Sequence, residues 1–143
     1  MTGGLHRFDL TLPDGWEDRT IYSFVGPDDS GLQHVVTLTI DETTRADSAA
    51  EFARERIAST LASLPAAEKV KDEGKQLPGG RDVWECVYKW MPADNTARFG
   101  KSLYLLLDGV GYVLSGTFTK KTIKTIALEM DQMAAALTPP TKK

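Results

Sequence analysis

The chain has 143 residues, of which 41% are hydrophobic and 26% charged, with a formal net charge of −3. This composition is typical of one globular domain and excludes a disordered chain. A negative net charge argues against a nucleic-acid backbone as the main partner, because binding phosphates requires a surplus of Lys and Arg. No segment has the long apolar run of a signal peptide or a membrane span. We therefore expect a cytoplasmic protein with a single domain over residues 1–143.

Three segments in the first third of the chain have the composition and alternation of β-strands. They are residues 6–12, 20–25 and 34–40, and turn-forming residues separate them. In the third segment, Val36, Leu38 and Ile40 share one face, and the intervening residues lie on the other. We expect Phe24, Leu38 and Ile40 to face the core.

Two segments have the periodicity of amphipathic helices. Residues 48–64 begin with Ser48-Ala-Ala-Glu51, a capping box in which Ser48 accepts from the Glu51 amide, and they end before Pro65. The second predicted helix covers residues 121–137, in which apolar side chains repeat every three or four positions. The last residues, 138–143, are expected to fray.

The region between the two predicted helices has the composition of further strands. Residues 67–77 predict a weak edge strand, and residues 82–91 predict a strand with aromatic side chains on one face. Residues 98–107 and 111–119 predict a hairpin around Asp108-Gly109. Because most connections between strands are short, we expect an α+β fold with a mainly antiparallel sheet of six or seven strands and two principal helices.

The residues most often used in catalysis do not form a recognisable catalytic or metal-binding pattern. His6 and His34 have no neighbouring ligand at metal-binding spacing, and Cys86 lies mid-strand with no nearby base, as expected for a buried, inert thiol. The carboxylate pairs Asp28-Asp29 and Asp41-Glu42 occur in or near turns, where acidic residues are common for local reasons. We therefore expect no enzymatic activity, no metal and no cofactor.

The predicted strand at residues 101–107, KSLYLLL, is apolar on both faces. Leu103, Leu105 and Leu107 share one face, and Tyr104 and Leu106 lie on the other. A strand with one face in water should alternate between apolar and polar residues. Either a helix of the same chain covers each face, or a partner covers one of them.

Several short motifs, in their order and spacing, resemble the DcrB-related domain family over nearly the whole chain. They are Leu10-Thr-Leu-Pro-Asp-Gly-Trp16, Asp18-Arg-Thr20, Leu38-Thr-Ile40, Leu64-Pro65 and Tyr88-Lys-Trp90. The resemblance implies a PsbP-like α/β sandwich around an antiparallel sheet. Within that frame we expect Trp16 to pack beneath the sheet edge and Asp18-Arg19 to fix the start of the second strand.

Members of this family that resemble the chain in size include Eag-type chaperones of type VI secretion, which are homodimers. The resemblance therefore implies a non-enzymatic chaperone or adaptor that shields hydrophobic transmembrane segments of a secreted effector protein. The predicted partner-binding residues lie on one sheet face: Ile21, Ser23, Val35, Thr37 and Thr39, with Lys101 and Leu103 nearby. The alternative is an immunity-like or other protein-binding domain of the same fold.

Overall fold

The computed structural model describes residues 10–17, 20–29, 32–42, 44–91, 97–119 and 122–138. These residues form six strands and two helices. The strands are β1 (Ile21–Asp29), β2 (Leu32–Asp41), β3 (Glu68–Gln76), β4 (Asp82–Trp90), β5 (Arg98–Leu107) and β6 (Val110–Phe118). The helices are α1 (Ala49–Ala62) and α2 (Ile123–Ala136). The structure thus confirms the predicted α+β class.

The six strands form one sheet in the order β1-β2-β6-β5-β4-β3, and every neighbouring pair is antiparallel. Helix α1 carries the chain from β2 to β3 at the far edge of the sheet. Strands β3 to β6 then return by successive neighbours until β6 pairs with β2. The predicted antiparallel sheet is confirmed, with six strands among the described residues.

The N-terminal prediction is corrected where the structure describes it. Residues 10–12 are not in a strand, and residues 6–9 of the predicted first strand lie outside the described residues. Trp16 is 70% exposed, so the expectation that it packs beneath the sheet edge is wrong. Alternation indicates which residues could share a face, but a strand also needs a neighbour with which to form hydrogen bonds. Asp18 and Arg19 lie outside the described residues.

Helix α1 begins where its capping motif predicts. Ser48 has extended backbone angles, and its Oγ accepts a hydrogen bond from the Glu51 amide at 3.2 Å. Phe52, Ala53 and Ile57 are its buried residues. Helix α1 packs mainly on β4 and β5 and more weakly on β3.

The sheet has one helix on each face. On the face beneath α2, which packs on β5 and β6, the buried side chains form the larger core cluster. Leu103 and Leu105 belong to this cluster, whereas Tyr104 belongs to the cluster beneath α1. A helix on each face therefore explains why β5 is apolar on both. Of the predicted core residues, Leu38 is 4% exposed but Phe24 is 38% exposed, because β1 is an edge strand away from α2.

Arg81, in the turn between β3 and β4, holds the C-terminal end of α2. Its Nη1 donates to the carbonyl oxygens of Ala134 at 2.8 Å, Ala135 at 3.4 Å and Leu137 at 2.6 Å. The last turn of α2 contains no basic residue of its own. Arg81 therefore satisfies carbonyl groups that helix geometry leaves unpaired and places a cation at the negative end of the helix dipole.

We expect Arg81→Ala to lower the free energy of unfolding by about 2 kcal/mol, because hydrogen bonds to a charged donor are lost. Urea unfolding followed by circular dichroism measures this change. Lys124→Ala, which removes an exposed cation from the same helix, is the matched control and should change stability by less than about 0.5 kcal/mol. Equal effects of the two substitutions would contradict the capping role of Arg81.

Candidate functional site

One half of the sheet face beneath α1 is exposed. Helix α1 packs on β3, β4 and β5, and the side chains of β1 and β2 on this face are accessible: Ile21 is 61%, Val25 60% and Val35 41% exposed. We call the exposed half the open face. It consists of Ile21, Ser23 and Val25 of β1, Val35, Thr37 and Thr39 of β2, and Val113, Ser115 and Thr117 of β6.

Strand register arranges the open face in rows that run across the sheet. The central row contains Ser23, Thr37 and Ser115, all with small hydroxyl side chains. Bulkier rows flank it, one formed by Ile21, Thr39 and Val113 and the other beginning with Val25 and Val35. Between its outermost Cα positions, the open face measures about 10 Å across the three strands and about 14 Å along them. The open face is therefore about as wide as a single α-helix, whose diameter is about 10–12 Å.

Helix α1 and the buried aromatic side chains beneath it border the open face on its β6 side. The ring of Phe52 from α1 lies against Gly111 of β6, and the ring of Tyr88 lies against Gly100 of β5, so neither glycine has room for a Cβ. Val113 packs against the cluster that contains Phe52. A partner bound on the open face would therefore have α1 beside it on the β6 side, whereas the rings of Phe52 and Tyr88 are buried.

Two of the three hydroxyl groups in the central row, those of Thr37 and Ser115, have partners within the sheet. Thr37 Oγ1 donates to the Ser115 carbonyl oxygen at 3.5 Å, and the hydroxyls of Ser115 and Ser102 are 2.9 Å apart. An apolar partner that covered Thr37 and Ser115 would not leave these groups without a hydrogen bond. This arrangement lowers the desolvation cost of covering the open face.

The structure brings together five of the seven residues predicted to bind a partner. Ile21, Ser23, Val35, Thr37 and Thr39 lie side by side on the open face.

Lys101 and Leu103 do not lie near the other five, so placing them beside the same face was wrong. They are on the opposite face, beneath α2, and are 2% and 0% exposed. The reason is the register between β5 and β6, which pairs Ser102 with Ser115. Ser102 therefore shares the face of the central row, and its two neighbours in β5 share the other face.

Lys101 is at the centre of a buried ion-pair network beneath α2. Its Nζ lies 2.9 Å from Glu85 Oε2 and 3.0 Å from Asp131 Oδ1. Lys75 Nζ contacts the same two carboxylates, at 3.2 Å from Glu85 and 2.6 Å from Asp131. Lys71 Nζ lies 3.0 Å from Glu85 Oε1. The network joins α2 to β3, β4 and β5.

Burial alone would raise the pKa of Glu85, but the ammonium groups of Lys101, Lys71 and Lys75 outweigh burial and hold its pKa at about 2. The ion-pair network was not predicted from the sequence. One sequence signal could have indicated the network. Glu85 and Lys101 are charged residues on strand faces that are otherwise apolar, since Val83 and Leu103 lie two positions away on the same faces.

The remaining candidate chemical groups do not form a catalytic arrangement in the described part of the chain. Cys86 is buried, and burial together with the nearby Asp72 raises its pKa to about 11, so the thiol is protonated at neutral pH. Asp41 forms an ion pair with Arg56. His34 is buried, whereas His6 and the side chains of Asp28-Asp29 lie outside the description.

Among residues with described positions, no group of three or more His, Cys, Asp or Glu side chains is placed to hold a metal ion. The helices found in the described ranges are too short and too polar to cross a bilayer.

The protein is an α+β domain in which half of one sheet face is exposed. The DcrB family model matches residues 8–134, and the chain therefore belongs to the DcrB family.

The crystal structure of PA94, a Pseudomonas aeruginosa protein of unknown function named as a candidate regulator, is similar with a TM-score of 0.73. The similarity covers 96% of this chain and 95% of that chain at 17% sequence identity, and shows a shared fold. The comparison with curated proteins found no match.

Proposed function

We propose that this protein is a non-enzymatic chaperone or adaptor that binds an apolar helix of a secreted effector on its open face. The observation that supports the proposal is an exposed half-sheet about one helix wide, walled on one side by α1. The resemblance to Eag-type chaperones of type VI secretion supplies the class of partner. Shielding the helix from water is the mechanism, since each Å² of apolar surface removed from water contributes about 25 cal/mol.

The size of the open face supports a second part of the proposal, that the protein acts as a homodimer. The nine residues of the open face are far fewer than the about 20–30 residues that each partner contributes to a stable complex. A single open face therefore needs additional surface. A second copy of the chain would supply it, as in the chaperones that the sequence resembles.

The composition of the open face favours one alternative. Five of its nine side chains are hydroxyls, namely Ser23, Thr37, Thr39, Ser115 and Thr117. A surface of this mixed character also suits a folded protein partner, because non-obligate interfaces are only about as apolar as the rest of the surface. The second candidate function is therefore an immunity-like or other protein-binding domain. A bound partner without an apolar helix would favour it.

Co-purification tests the proposed function. The protein is co-expressed with the N-terminal segment, including the apolar helix, of a type VI effector. We expect Ile21→Asp and Thr37→Asp to abolish co-purification, because the new carboxylate must lose its hydration when the helix binds. Leu128→Asp on α2 is the matched control for Ile21→Asp, since both side chains are 61% exposed. It should retain the effector segment.

A second matched pair uses edge-strand valines. Val25 on the open face is 60% exposed, and Val70 on β3 is 57% exposed; both lie at interruptions of strand register. Val25→Asp should release the effector segment, and Val70→Asp should not. Circular dichroism checks that the variants are folded, and Leu38→Asp, in the core, should unfold. Retention of the segment by folded Ile21→Asp and Val25→Asp variants at wild-type level would refute the proposed function.

A further inference from the structure

The two edge strands of the sheet differ in charge. Six of the nine residues of β3 are charged, whereas the segment Ile21–Val25 of β1 contains no charged residue. Proteins commonly place charged side chains on an edge strand, because they prevent its backbone from pairing with a strand of another chain. Strand β3 carries this protection, and this segment of β1 does not.

The outer side of β1 is accessible to a partner. Val25 pairs with Val35 of β2 on the same face, yet Val25 is 60% exposed and Val35 is 41% exposed. Val70, on the opposite edge strand, is 57% exposed, so Val25 has the exposure of an edge residue. Ile21 is 61% exposed on the same face, and Phe24 is 38% exposed on the other. Apolar surface is therefore available on both faces of this edge.

The regular part of β1 is short and has a defined centre. Its register with β2 runs without interruption from Ile21 to Val25 and shifts after Val25. Pro27 lies within the shifted part and has no amide hydrogen to donate. Regular pairing with a further strand is therefore confined to residues 21–25, whose midpoint is Ser23.

This segment is complementary to a second copy of itself. In an antiparallel pair of identical strands centred on Ser23, the two Ser23 residues lie opposite each other, and Ile21 lies opposite Val25 of the second copy. Large apolar side chains then meet on the open face, and a small side chain lies at the twofold axis, where two identical side chains must fit. No charged side chains face each other in this pairing, so repulsion does not oppose it.

We propose that two copies of the protein pair through β1, antiparallel about a twofold axis at Ser23. This inference rests on the homodimer part of the proposed function and identifies its interface. A twofold axis perpendicular to the sheet keeps the two open faces on the same side. Pairing doubles the nine residues of the open face to eighteen, close to the about 20–30 residues that each partner contributes to a stable complex. The second copy thus completes a surface that one copy supplies only in part.

Disulfide cross-linking tests the pairing and its centre. Residues directly opposite in an antiparallel pair have Cα atoms about 4.5–5.5 Å apart, within the range that a disulfide spans. Oxidation of Ser23→Cys with copper–phenanthroline in air, which removes one proton and one electron from each thiol, should therefore join most of the protein into dimers. The matched control is Thr37→Cys, which lies in the same row one strand further in, about 14 Å from its own copy. It should not cross-link, and neither should the unsubstituted protein, whose Cys86 is buried.

A mixing experiment tests the antiparallel register. Ile21→Cys and Val25→Cys should each give little cross-linked dimer alone, because each residue lies about 14 Å from its own copy. Mixed in equal amounts, the two variants should cross-link to each other. Cross-linking of either variant with itself at the level of Ser23→Cys would contradict the register.

Sedimentation velocity measures how much the β1 edge contributes to association. We expect the unsubstituted protein to dimerise between about 1 and 200 µM, the range suited to a small interface. Ser23→Lys should weaken dimerisation at least about tenfold, because two ammonium groups then lie opposite each other at the axis. Ser59→Lys adds the same charge at an exposed serine of α1 and should leave the dimer affinity within about twofold. Circular dichroism checks that the variants are folded.

The outcomes separate this inference from the proposed function. If the unsubstituted protein is monomeric at about 200 µM, the homodimer part of the proposed function fails and this inference fails with it, whereas co-purification tests effector binding independently. If the protein dimerises but Ser23→Cys does not cross-link and Ser23→Lys dimerises normally, the dimer uses another surface and the inference is overturned. Selective cross-linking of Ser23→Cys together with weaker dimerisation of Ser23→Lys supports both.

Discussion

Glu85→Met is expected to lower the free energy of unfolding by about 3–5 kcal/mol, because it leaves the buried ammonium group of Lys101 with less compensation. Glu85 and Lys101 are each 2% exposed and lie 2.9 Å apart. Removing one member of such a pair costs more than the pair contributes, since the desolvated charge that remains has lost a partner. Chemical denaturation at pH 7 measures the change.

The double variant Glu85→Met, Lys101→Met distinguishes a broken ion pair from simple loss of packing. Met has a similar length to both side chains, and the Lys75–Asp131 pair at 2.6 Å remains in place. We expect the double variant to recover most of the stability lost in Glu85→Met, because replacing a buried ion pair by apolar groups is often neutral or stabilising. A double variant less stable than the single one would contradict this account.

The acid dependence of stability gives an independent measurement on the same residue. The pKa of Glu85 in the folded protein, about 2, is below its usual value of 4.5, so the charged form stabilises the fold. This contribution is fully present above pH 4.5 and is lost as the pH falls toward 2. In the double variant this part of the loss of stability between pH 4.5 and 2 should be absent.

Phe52→Ala is expected to destabilise the protein by a similar amount, about 3–5 kcal/mol, because it leaves a cavity between α1 and the sheet. Phe52 is fully buried, its ring packs edge-on against Tyr104 at 6.1 Å, and it lies against Gly111. The guanidinium of Arg56 lies 5.6 Å from its ring centroid. Urea unfolding measures the loss.

Two further variants control this prediction. Phe52→Leu keeps most of the apolar volume and should cost less than Phe52→Ala. Ser59→Ala changes an exposed side chain of the same helix and should alter stability by less than about 0.5 kcal/mol. A loss below about 1 kcal/mol in Phe52→Ala would show that α1 does not depend on this contact.

The features that the sequence predicted correctly depend on residues close together in the chain. The start of α1 follows from Ser48 and Glu51, which are three positions apart and hydrogen-bonded across the first turn. The alternation within β2 places Thr37 and Thr39 on one face and Leu38 on the other because side chains in any strand alternate. Five of the predicted partner-binding residues therefore lie on one face, in two strands that pair directly.

The features that the sequence did not predict depend on how distant segments meet. Strand β6 lies between β2 and β5, and Ser115 of β6 pairs with both Thr37 and Ser102. Thr37 and Ser102 therefore lie on one face of the sheet, and Lys101, the neighbour of Ser102, lies on the other. The ion-pair network joins residues from three strands to Asp131 on α2. No local pattern contains this information, since these residues come together only after the sheet has formed and α2 has packed on it.

The sequence by itself determined the α+β class, the boundaries of the helices to within a few residues and the alternation of each strand, because short-range backbone geometry dictates these features. The tertiary structure alone decided which half of the sheet stays open, since α1 packs on β4 and β5 at a distance from β1 and β2. It also decided that Trp16 is exposed, because burial depends on neighbours that a local motif does not specify.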